Sequence, residues 1–154
     1  MRLRALADAR DAFGSTLDRE QGRTAADWKS WLSRGATFVA EEGGQAPSPD
    51  QPAVGLVCAF DESREDGLAH LVSMWVDASA RGTGAASALV DAALAWAASD
   101  GFTRVHLFVV EGNDRARRLY ARHGFRLTGH TITRDRDGAL EFEMERASSA
   151  ASDV

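Results

Sequence analysis

A chain of 154 residues, 44% hydrophobic and 27% charged, suits one domain with a buried core and leaves no room for two of ordinary size. Its net charge of −5 argues against general nucleic-acid affinity, which needs a basic surface, and no apolar run is long enough to span a membrane. The single cysteine, Cys58, excludes an internal disulfide and a cysteine-rich metal site, and the N-terminus lacks a signal-peptide apolar stretch, so a cytoplasmic protein is the expectation.

Residues 2–10 predict a short helix with Leu3 and Leu6 on one face, broken over 11–16. Thr24 then N-caps a second helix with Asp27 in its first turn, and Trp28, Trp31 and Leu32 form an apolar stripe that predicts core packing. Residues 37–40 read as a strand, 43–52 as a polar Gly/Pro-rich loop, 54–60 as a second strand and 61–67 as a charged turn. A third strand, 71–76, leads through a linker into the turn Arg81-Gly82-Thr83-Gly84-Ala85-Ala86. Ser87 opens a helix that is nearly all apolar from 88 to 98 and should therefore lie against a sheet, with Gly101 ending it.

Val105, Leu107 and Val109 alternate with His106, Phe108 and Val110, which predicts a central strand apolar on both faces. Residues 115–122 predict a helix stopped at Gly124, and a hairpin follows: strands 126–134 and 140–145 about Asp137-Gly138, with the glutamates facing water. The domain is expected to span 1–146, with 147–154 a disordered tail. Three strands in succession, then strand–helix–strand–helix, predict an α/β fold around a mixed sheet with helices flanking it, its first strands antiparallel.

The stretch from the third strand through the glycine turn carries the chemistry. A glycine-rich turn opening a helix presents unpaired backbone N–H groups at the positive end of the helix dipole, a site for phosphate. A P-loop is excluded because no Gly-Lys-Ser/Thr follows. A dinucleotide site has more to recommend it: Gly82, Gly84 and Ser87 occupy the three glycine positions of G-x-G-x-x-G, and Glu111 could serve as the ribose-binding acid. Against it, four residues and an arginine separate the strand from the first glycine.

Arg81-x-x-Gly84-x-Ala86 instead resembles the Arg/Gln-x-x-Gly-x-Gly/Ala pattern of the GNAT N-acetyltransferase superfamily. Asn113-x-x-Ala116-x-x-x-Tyr120-x-x-x-Gly124-Phe125 resembles that family's second motif, in the right order and with a strand between the two. The resemblance implies acyl transfer from acetyl-CoA to an amine, small-molecule or peptide, by direct attack in a ternary complex, with no metal. It also implies an acyl-CoA N-acyltransferase fold that begins with a strand ahead of the first helix, and that strand has no counterpart here. Either the sequence starts late or another element covers the sheet edge; an open edge would be a route to a homodimer.

Within the resemblance, the backbone of Arg81, Gly82, Thr83, Gly84, Ala85 and Ala86 cradles the cofactor phosphates, with Ser87 adding a hydroxyl. The main chains of Met74, Trp75 and Val76 pair with the pantetheine amides. Asn113 and Ala116 meet the pantetheine arm, and Tyr120 is the acid for the leaving thiolate. Asn113 also reads as an ordinary N-cap, Tyr120 as a core tyrosine, and Cys58 as a buried structural thiol. His70, Glu111 and a water-relayed proton are all candidates for the general base. His106, His123 and His130 have no spacing that suggests a metal site. Arg115, Arg117, Arg118 and Arg122 read as a solvated face, one of them a candidate for the 3′-phosphate of CoA. Phe13 and Ser15 are candidates for the acceptor side. The runner-up function is a non-catalytic acyl-CoA-binding domain that kept the cradle.

Overall fold

In the computed structural model, which describes residues 1–42 and 50–148, six strands form one mixed sheet. Most of the loop expected at 43–52, and residues 149–154 of the expected tail, lie outside the described residues. Helices α1 (Arg2–Asp8), α2 (Leu17–Glu20) and α3 (Ala25–Leu32) precede strands β1 (Gly35–Glu41), β2 (Ala53–Ser63) and β3 (Leu68–Val76). A single 3-10 turn over Ala78–Ala80 leads into α4 (Ala85–Ser99), followed by β4 (Arg104–Val110), α5 (Asp114–Arg122), β5 (Arg126–Thr133) and β6 (Leu140–Ala147). Among the described residues no helix is long and apolar enough to cross a membrane.

The sheet runs β1-β2-β3-β4-β6-β5. As expected, β1, β2 and β3 pair antiparallel and β3 pairs parallel with β4 across the α4 connection. The hairpin folds back so that β6, the more apolar of its two strands, takes the inner place beside β4, leaving β5 exposed along its whole length at the edge. At the opposite edge of the described sheet lies β1.

Alternation along the strands builds two cores. Val57, Ala59, Ala69, Leu71, Val105, Leu107 and Val109 face α4 and α5, where Leu89, Val90, Ala93, Leu94 and Ala97 of α4 meet them. On the other face Leu56, Cys58 and Trp75 pack under Ala5 and Leu6 of α1 and under Phe13. The raised pKa of the Cys58 thiol, a consequence of burial, fits its structural role.

A bulge in β3 changes which face its residues serve. Cys58 pairs with Val72 but Leu56 pairs with Trp75, so β3 holds one residue more than β2 between these points. Ser73 takes that place with a φ of 61°, the one left-handed non-glycine backbone among the described residues. Before the bulge Ala69 and Leu71 point to the α4 core; after it Met74 and Val76 do, and Trp75 turns to the α1 side.

Several expectations need correction. None of α3 is fully buried: Trp28 and Trp31 lie edge to face with centroids 6.2 Å apart and short of full burial, and Leu32 is exposed. The stripe lies on a short helix whose capping box, Thr24 with Asp27, is what the sequence foretold. Glu141, Glu143 and Glu145 do not simply face water; they are half-buried, Glu143 holding His106 at 2.8 Å and Thr128 at 2.6 Å, and Glu145 paired with Arg104 at 3.3 Å. Ala147, assigned to the tail, completes β6.

Candidate active site

β3 and β4 pair over Leu68–Arg104, Ala69–Val105 and His70–His106 and then part. The opening between them continues as a cleft of about 730 Å³, walled by residues 71–76 on one side and 107–110 on the other. A strand that leaves its neighbour in this way turns main-chain N–H and C=O groups toward the gap, where a ligand with amide groups can take the place of the missing strand.

The glycine turn closes one end. Gly82 and Gly84 have φ values of 79° and 89°, the left-handed region that glycine enters at little cost. Gly84 is the N-cap of α4, and its carbonyl accepts the first helical hydrogen bond, from Ala88 N–H at 3.0 Å. The N–H groups of Ala85, Ala86 and Ser87 therefore have no partner within the helix and lie at the positive end of its dipole. Arg81 is anchored beside them: its guanidinium donates to Asp8 Oδ2 at 3.2 Å and to the Val76 carbonyl at 3.3 Å. The same Asp8 oxygen accepts from Trp75 Nε1 at 2.9 Å, so α1 ties the end of β3 to the turn.

The far wall is α5. Asn113 caps it, its Oδ1 accepting from Ala116 N–H at 3.3 Å, and Asn113, Ala116 and Tyr120 all line the cleft on one helix face. Tyr120 is 7% exposed and meets Phe125 edge to face at 5.8 Å. Burial pushes its phenol well above the ordinary value near 10, so it keeps its proton. Arg115, Arg118 and Arg122 line the cleft at i, i+3 and i+7, whereas Arg117 stacks on Phe142 at 5.6 Å. With Arg81 that makes four arginines and, among the described lining residues, no carboxylate. A chain of net charge −5 has gathered positive charge in one place.

Of the residues singled out from sequence, Met74, Trp75, Val76, Arg81, Gly82, Gly84, Ala86, Ser87, Asn113, Ala116 and Tyr120 come together around this cleft. Thr83 and Ala85 belong to the turn but do not line it; the Thr83 hydroxyl folds back onto the Ala80 carbonyl. Phe13 lines the cleft and Ser15 does not. Neither candidate base reaches it. Glu111 is exposed, and its backbone N–H donates to Leu140. His70 packs beside His106 with its Nδ1 3.3 Å from Glu62, and its pKa falls to about 4 through burial and the neighbouring His106. Sequence reasoning missed Asp8 and the β4 wall, because both depend on contacts between segments remote in the chain.

Comparison with known proteins agrees with this architecture. An uncharacterized N-acetyltransferase of Mycobacterium tuberculosis is 52% identical over 48 residues, which is 31% of this chain and 31% of that protein. Among solved structures, an N-acetyltransferase from Staphylococcus aureus superposes with a TM-score of 0.71 at 22% identity, covering 94% of this chain and 89% of the other. Spermidine N-acetyltransferase from Vibrio cholerae, in complex with CoA and spermine, gives a TM-score of 0.71 at 16% identity over 96% and 87%. At these identities the two structures speak for the fold. The family model described as the acetyltransferase (GNAT) family matches residues 4–125, well over half of the sequence, and the chain belongs to that family.

Proposed function

We propose that this protein transfers the acetyl group of acetyl-CoA to a primary amine by direct attack in a ternary complex. The observation that carries the reading is the parting of β3 from β4 after His70 and His106, with the glycine turn at one end of the gap and Tyr120 on its wall. The turn suits the pyrophosphate, received by the N–H groups of residues 82–87 with the arginines around them. The main chains of Met74, Trp75 and Val76 suit the pantetheine amides, and Asn113 and Ala116 border the same arm.

In the reaction the amine nitrogen forms a bond to the thioester carbonyl carbon, the carbon–sulfur bond breaks, and the sulfur leaves as thiolate. In this reading Tyr120, which lines the cleft, gives that sulfur a proton, and the proton lost by the amine passes to water. The Vibrio cholerae protein was solved with CoA and spermine, so polyamines belong in the acceptor panel beside short peptides.

Free-thiol release with that panel tests the proposal. Turnover is expected with at least one amine. Tyr120→Phe should lower kcat by about 100-fold or more while leaving the Kd for acetyl-CoA unchanged. An unchanged kcat would remove the acid role. A second reading, an acyl-CoA-binding domain without turnover, is favoured by one observation, that neither His70 nor Glu111 borders the cleft. Tight acetyl-CoA binding with no turnover on any amine would support that reading instead.

A further inference from the structure

The sheet face turned away from α4 and α5 carries a second cluster of polar side chains. β2, β3 and β4 bring Glu62, His70 and His106 together there. His70 and His106 are partners in the last parallel pair, with ring centroids 4.5 Å apart, and Glu62 Oε2 lies 3.3 Å from His70 Nδ1. One ligand-type atom from each of the three falls within 4.8 Å of the other two.

The decisive detail is at His106. Its Nδ1 lies 2.8 Å from Glu143 Oε1, so the carboxylate holds the proton on Nδ1 and leaves a lone pair on Nε2. That Nε2 is buried and has no hydrogen-bond partner among the described residues, on a side chain only 8% exposed. Buried polar atoms are nearly always satisfied, and an orphan calls for a partner. A histidine with one nitrogen fixed by a carboxylate, the other left free, and another histidine and a glutamate close by has the make-up of a metal ligand with its supporting carboxylate.

We propose that Glu62, His70 and His106 bind a borderline divalent cation of the Zn²⁺ type, with Glu143 as the carboxylate that orients His106. Two imidazoles and one carboxylate suit Zn²⁺ better than Mg²⁺ or Ca²⁺, which prefer all-oxygen sites, and they leave a fourth position for water. Tetrahedral ligands at about 2.0–2.1 Å from the ion sit roughly 3.4 Å apart; Glu62 Oε2 and His70 Nδ1 are already at 3.3 Å, and a pair at the 4.8 Å limit must draw in by about 1.4 Å. Glu62, whose side chain is 42% exposed, has the freedom to make that movement. Sequence spacing gave no sign of the site, because its ligands come from three strands and the pairing register alone aligns them.

Titration of tag-free protein with Zn²⁺, followed by calorimetry, tests the proposal, with the visible absorption of bound Co²⁺ reporting coordination number. The expected result is one Zn²⁺ per chain, a four-coordinate Co²⁺ spectrum, and loss of both in His106→Gln and His70→Gln. Glu143→Gln should keep the stoichiometry and weaken binding by about 10–100-fold. His70 is partly exposed, so His70→Gln serves as the test if the buried His106→Gln fails to fold. Absence of stoichiometric Zn²⁺ binding, or binding that survives undiminished in His70→Gln, would overturn the proposal.

Discussion

At Gly84 the requirement is conformational, not steric. A Cβ built there meets no atom of the described residues within 4 Å, yet φ is 89°. Gly84→Ala is therefore expected to cost about 1–2 kcal/mol through backbone strain alone and to weaken acetyl-CoA binding as the turn distorts. Gly84→Asn should lie closer to wild type in chemical denaturation, because asparagine tolerates the left-handed region and caps helices well. Equal losses for the two variants would mean that space is the constraint. The turn was legible in the sequence, since two glycines separated by one residue, ahead of an alanine-rich run, mark a tight turn into a helix, but the helix begins at Ala85, two residues before the expected Ser87. The division among the arginines was not. Residues 115, 118 and 122 share a helical face and Arg117 does not, but only the packed structure shows which face lines the cleft.

At the scale of elements, α1 is held by a part-buried ion pair. Arg2 reaches Glu20 of α2 with two hydrogen bonds of 3.0 Å, Nε to Oε2 and the terminal nitrogen to Oε1, and donates to Ser73 at the β3 bulge at 3.1 Å. Burial by itself would raise the Glu20 pKa, but the hydrogen bonds and charge of Arg2, with Arg23 beyond, bring it below its usual 4.5. The unfolded chain then binds more protons than the folded one in the acid range. Stability from this group is complete above about pH 4.5 and is lost as the pH falls through the lower folded value. Glu20→Gln should destabilise at neutral pH by about 1–3 kcal/mol, since it leaves the part-buried Arg2 charge without its counterion, and should flatten the acid limb of a denaturation series. An unchanged acid limb would show that Glu20 does not drive it. Elements with strong periodicity or caps, such as α3, α4 and the hairpin, were readable in advance. α2 was not, being four residues long, and neither was the Ser73 bulge, which inserts a residue without any turn-forming signature.

Over the whole molecule, the order of the strands and of every helix but α2 could be read from the chain, while the inner place of β6 could not, because hairpin pairing leaves open which strand meets β4. The charge distribution likewise emerges only in three dimensions. An acidic chain whose cleft holds Arg81, Arg115, Arg118 and Arg122 should bind a polyanion with an affinity that falls as salt rises, and a Kd for acetyl-CoA independent of ionic strength would count against that role for the arginines. The most direct test of the central claim, that the cleft is an acyl-CoA site, is thermal unfolding with acetyl-CoA, CoA and NADH added separately. At 100 times its Kd a ligand of the native state stabilises by about 2.7 kcal/mol, which for a chain of this size raises Tm by about 5–10 °C. A rise of that order with acetyl-CoA and CoA, and none with NADH, is the predicted result; a rise with NADH alone, or with none of the three, would contradict it.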